Sequence, residues 1–111
     1  MILPTLLVSL ILSFTFPNPV YADIVIMSEL YDVDTQTALE IATCESQMGK
    51  YPINWEGSSA KGVYMFTDGT WDAYCEGDAM NPHDNITCFM ELFPKHPTWW
   101  DCYNILYETN P

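Results

Sequence analysis

One residue in this chain has the type and setting to do chemistry by itself. Between Thr35 and Met48 the apolar residues Ala38, Ile41 and Ala42 recur at the spacing of a single helix face. Glu45 comes three residues after Ala42 and four after Ile41, so its carboxyl falls on the same stripe. An ionised carboxylate facing a core is costly, and burial favours the neutral acid. A glutamic acid kept protonated near neutral pH can hand its proton to a leaving oxygen, which is general-acid catalysis. The pattern alone more often marks a boundary residue that bends to solvent at a helix end.

Other chemistry is thinly represented. Glu56, Asp68 and Asp72 are candidate second acids that could work beside a general acid. Nothing in the spacing sets them opposite Glu45, and Asp72 also suits the first turn of a helix. His83 and His96 lie apart and no Cys pair has C-x-x-C spacing, so no metal is expected. Asp32, Asp34 and Gln36 lack the glycine and distal glutamate of a calcium loop. No cofactor is expected either. Asn85-Ile86-Thr87 fits a glycosylation sequon.

Charge narrows the partners. The chain has 111 residues, with 15 Asp and Glu against 3 Lys and Arg, for a net charge of −12. Without a basic surface there is nothing to release counterions from phosphates, so nucleic acid is excluded. Anionic membrane surfaces are disfavoured for the same reason. A mostly uncharged glycan is not.

Residues 1–22 carry no charged side chain and contain the apolar run Leu6 to Phe16. Val20-Tyr21-Ala22 then offers small residues where a signal peptidase reads, which predicts a removed signal peptide and a new N-terminus at Asp23. No Lys or Arg precedes the run. Pro17 and Pro19 interrupt it and it is short for a bilayer, so a transmembrane helix ranks lower, with an uncleaved anchor as the alternative. Residues 23–111 make one domain, expected to be exported and monomeric, without stable membrane association. So small a domain needs covalent help. Cys44, Cys75, Cys88 and Cys102 supply it as two disulfides, in any of three connectivities, Cys75 and Cys88 being close together.

The elements that must position Glu45 read as helices throughout. Ile24 to Tyr31 suits a short helix, although Ile24-Val25-Ile26 would also suit a strand. Asp34 or Thr35 caps a helix to about Met48, with Gly49 closing it. Lys50 to Lys61 is a surface loop, and Gly62 to Phe66 a short apolar and aromatic run. Thr67 caps a helical turn through Trp71 to Cys75. Asn81-Pro82 starts a helix that reaches Leu92. Pro94 stops it, and Pro97 opens a last helix with Trp99, Trp100 and Cys102. Alternating strand patterns are absent, so the fold class is all-α.

Cys44-Glu45-Ser46, the Asn54 loop, Ser59-Ala60-Lys61-Gly62-Val63-Tyr64-Met65-Phe66 and Thr70-Trp71, in that order, resemble the catalytic domain of soluble lytic transglycosylases and goose-type lysozymes. In that part of the lysozyme-like superfamily a helix ends in Glu-Ser, a Ser-x-x-Gly-Leu-x-Gln segment follows, and Thr or Thr-Trp comes next. Asn81 to Ile86 is similar to the family's Asn-Ile helix start. The Cys-Glu-Ser triplet and the Trp99 to Cys102 spacing also resemble resuscitation-promoting factors, whose corresponding cysteines are bridged. That likeness implies Cys44–Cys102 and, with it, Cys75–Cys88. The resemblance covers about Leu30 to Tyr103.

What it implies is a small lysozyme-like helical domain that cuts peptidoglycan strands at the MurNAc–GlcNAc β-1,4 bond. Glu45 would be the single catalytic acid/base and the product a 1,6-anhydro sugar. The alternatives are a muramidase hydrolase of the same fold or a non-catalytic glycan-binding or inhibitory module. Met65 stands where the family has glutamine, and the family's later Tyr-Asn pair has no clear match, Tyr103-Asn104 lying in a different setting. Ser59 corresponds to a serine that contacts substrate or supports the catalytic Glu, but is equally a loop serine. Tyr64, Met65, Phe66 and Trp71 are the other candidate substrate-binding residues. At least two of the three aromatic rings are expected in the core. Trp99 and Trp100 are expected to pack the terminal helix beside the long disulfide.

Overall fold

The computed structural model describes residues 18–54 and 56–107. Its helices are α1 (Pro19–Tyr31), α2 (Thr35–Ser46), α3 (Asp68–Tyr74), α4 (Pro82–Leu92) and α5 (Asp101–Tyr107), with a 3₁₀ turn at Pro97–Trp99. No strand occurs among the described residues, only isolated bridges from Lys61 to Ile53 and to Phe66. The protein is all-α.

Local chemistry explains the starts. The Asn18 side chain accepts from Val20 N–H ahead of Pro19, so α1 begins five residues before Ile24, and Ile24-Val25-Ile26 is helical. The cleavage point after Ala22 therefore falls inside α1, whose first-turn residues Val20 and Tyr21 pack against the core. The apolar run Leu6 to Phe16 lies outside the described residues. Asp34 caps α2, accepting from the Thr37 N–H at 2.9 Å and its hydroxyl at 2.8 Å. Thr67 and Asn81 cap α3 and α4.

Two helix ends differ from the sequence reading. α2 stops at Ser46 rather than near Met48, because Gln47 (φ 52) and Met48 (φ 61) already turn left-handed. Ser46 holds that exit: its hydroxyl donates to Val63 O at 2.6 Å and accepts from Gly49 N–H at 2.8 Å. The helix from Pro97 is likewise not continuous. The chain extends at Trp100 (φ −101, ψ 120), which swings the indole inward to donate to Tyr64 O at 2.9 Å.

α1 packs on α2 and α4. Between them the Tyr64 ring stacks on Phe89 at 3.6 Å, and Trp100 sets its edge against Phe66, Phe89 and Phe93. Asn85 is wholly buried in α4, accepting from Tyr64 N–H and donating to Ala79 O, each at 2.8 Å. A glycan could not be attached there, so the sequon is a coincidence of spacing. Gly62 (φ 85) abuts the Asn85 amide so closely that any Cβ would collide with it. The disulfides are Cys44–Cys102 and Cys75–Cys88, with no free cysteine among the described residues. Such pairing marks an oxidising compartment. Among the described residues, no helix is long and apolar enough to cross a membrane.

Candidate functional site

Glu45 sits in the last turn of α2, on the face that buries Ala38, Ile41 and Ala42 completely. Its own side chain is half-buried. The residue before it is tied by disulfide to Cys102, and this brings the first turn of α5 over the carboxyl. Cys102 N–H donates to Glu45 Oε2 at 3.4 Å. The residue after it, Ser46, anchors the Val63 carbonyl.

Loss of water raises the Glu45 pKa from its ordinary value to about 7. The Cys102 N–H opposes that shift, and the negative charge of Asp101 adds to it. A carboxyl poised there is neutral often enough to donate a proton and ionised often enough to take one back.

The 61–66 turn is clamped to the same region. Tyr64 OH donates to Ala38 O at 2.9 Å, its own carbonyl accepts the Trp100 indole N–H, and Asn85 holds its backbone from behind. The core takes all three candidate aromatic rings: Tyr64 is 0%, Phe66 3% and Trp71 7% exposed. Their faces are spent on each other and on Trp100 and Phe89, so none is open to a sugar. Met65 differs. It is half-buried, holds a left-handed φ of 51, and lines a hollow of about 70 Å³ with Phe66, Thr67, Thr70, Trp99 and Trp100.

Ser59 is used elsewhere. Its hydroxyl accepts from Asp68 N–H at 3.0 Å, supporting the start of α3. Of the candidate second acids, Asp68 pairs with Lys61 at 2.8 Å, and Glu56 and Asp72 are exposed in the loop and on α3. The acid whose charge reaches Glu45 is Asp101, which the sequence reading did not single out. Its signal was its place directly before Cys102, once that cysteine is bridged to the residue preceding Glu45.

Trp99 also departs from expectation: Trp100 is packed at 4% exposure, whereas Trp99 stands 45% exposed. A hollow of about 480 Å³ opens on the outer side of α2 around Gln36, Leu39, Glu40 and Thr43, and Glu45 does not line it. A raised pKa and a backbone donor meet instead where Glu45 contacts Cys102. His83 contacts Asp23 at 2.9 Å, and no cluster of His, Cys, Asp and Glu able to hold a metal ion occurs among the described residues. Comparisons of the chain with family models, curated proteins and solved structures returned no match.

Proposed function

We propose that this protein is exported and cleaves the glycan strands of peptidoglycan as a lytic transglycosylase, with Glu45 as its only catalytic acid/base. The observation that carries the reading is the half-buried Glu45 carboxyl, raised to a pKa of about 7 at the end of α2. In the proposed reaction the neutral acid protonates the oxygen of the MurNAc–GlcNAc β-1,4 bond, and that bond breaks. The resulting carboxylate then accepts the proton of the substrate's own C6 hydroxyl as its oxygen closes on the anomeric carbon. The product is a 1,6-anhydro sugar, and no water is consumed. Residues 1–22 serve as the export signal in this reading, and the domain acts as a monomer on the wall.

Hydrolysis by the same fold is the second reading, and Asp101 favours it. A second carboxylate beside the acid is what a muramidase requires to activate water or trap the sugar.

Oxidised protein is expected to clear a peptidoglycan gel, and Glu45→Gln to lower the rate by about 10²–10⁴ while keeping the fold. Full clearing by Glu45→Gln would remove the catalytic assignment. Product masses separate the two chemistries, because hydrolysis adds water and the lyase reaction does not. Glycan binding without cleavage, indifferent to Glu45→Gln, would identify a binding or inhibitory module instead.

A further inference from the structure

Trp99 and Trp100 are adjacent, yet one is sealed in the core and the other stands open. Leaving a large indole 45% exposed forgoes much of the gain from burying it, so its immobilisation needs a reason. Trp99 is held without being covered. One face lies flat on the His96 imidazole, centroid to centroid 3.9 Å with the planes 7° apart. Tyr74, itself 58% exposed, leans on it at 5.3 Å and 53°. The His96 contact fixes the orientation of the ring and leaves its opposite side uncovered by that stack.

The surroundings are polar in a particular way. Trp99 rims the small hollow that also contains Met65, Thr67 and Thr70. Thr67 is spent as the α3 cap and donates to Thr70, whose hydroxyl keeps its own proton to give beside the aromatic ring. Trp99 is also tied to the reactive end of the molecule. Three residues further along, Cys102 gives its N–H to Glu45, and that stretch of chain spans at most about 11 Å.

A pyranose ring has this same composition, with C–H groups across its faces and hydroxyls round its rim. At a net charge of −12 the surface favours a neutral sugar over a phosphate or a carboxylate. We infer that Trp99, buttressed by His96 and joined by Tyr74, is a saccharide subsite that stacks an N-acetylhexosamine ring of a strand running on to Glu45. The inference rests on the proposed function for the identity of that strand. The binding itself does not require catalysis.

The test uses the full oxidised chain and a soluble neutral probe, the β-1,4-linked tetramer of N-acetylglucosamine. Affinity is measured by calorimetry, and the Trp99 indole N–H is followed by NMR. Trp99→Ala is expected to weaken binding about tenfold, on the scale of one lost stacking contact. Trp99→Phe should keep most of the affinity, and Tyr74→Ala should lose less than Trp99→Ala. Neither ring belongs to the buried core, so the helical circular dichroism should be unchanged. Equal affinity in wild type and Trp99→Ala, or an indole signal unmoved by the tetramer, overturns the subsite. The two readings separate cleanly. Clearing of peptidoglycan without this binding leaves the enzyme and removes the subsite, whereas binding here without clearing does the reverse.

Discussion

α2 carries two glutamates five residues apart, and both meet α5, yet their carboxyls move in opposite directions. On the outer face Glu40 accepts from the Tyr107 hydroxyl and, at 3.0 Å, from Gln36. Those donors, Tyr107 first, favour the charged form and lower its pKa. On the inner end Glu45 has one long backbone donor and little water, and burial carries it up to about 7. Residue type, helix and neighbouring element are shared. Hydration and the number of donors differ, and these decide which glutamate can be an acid at neutral pH.

The strongest way to break this contrast is to release α5. Cys44–Cys102 closes a separation of 58 residues and Cys75–Cys88 one of 13. Loop-closure entropy then assigns about 4 kcal/mol to the first and about 3 kcal/mol to the second. Urea unfolding of the two double Cys→Ala variants should show both losses, in that order. Only the Cys44/Cys102 variant should also return Glu45 toward ordinary acidity, moving the upper limb of the pH–rate profile down from about 7. If removal of Cys75–Cys88 shifted that limb equally, the packing of α5 against Glu45 would not be its cause.

A smaller effect sharpens the inner half of the comparison. The folded-state pKa of Glu45 lies above its unfolded value, so folding favours the neutral form. That preference is complete below about pH 4.3, the unfolded value, and is lost as pH rises through the folded pKa near 7. Glu45→Gln cannot ionise. It should gain stability on wild type across this window by roughly 2 kcal/mol, after allowance for partial solvent screening, and hold the gain above it. Denaturation of both proteins at pH 4, 6 and 8 measures the difference. A constant difference would mean that Glu45 titrates as it does in the unfolded chain.

Much of this architecture could be read from local signals. Asp34, Thr67 and Asn81-Pro82 mark the helix starts because caps and N1 prolines act on the residues beside them. The stripe of Ala38, Ile41 and Ala42 placed Glu45 on the buried face by periodicity alone. What escaped reading depends on distant partners. Ser46 ends α2 early because Val63, 17 residues on, accepts its hydroxyl. Trp100 interrupts the last helix because Tyr64 O lies 36 residues back in the chain. The fates of Tyr64 and Phe66 were open, and Trp99 was wrongly expected to pack, for the same reason, since exposure belongs to the packed molecule. Asp101 gained meaning only through the long disulfide, and Ser59 proved to serve the α3 backbone.

The outer glutamate supplies the smallest effect and the control for the rest. Glu40 touches Gln36 and Tyr107 at the surface, where an ion or hydrogen bond adds little once water competes for it. Glu40→Gln removes a charge of the same sign, from the same helix, as Glu45→Gln does. It should therefore leave the clearing rate and its pH profile unaltered and barely move the melting temperature. Should Glu40→Gln lower the rate as Glu45→Gln does, loss of any negative charge from α2 would account for both. The distinction drawn between a hydrated carboxylate and a desolvated acid would then have no bearing on catalysis.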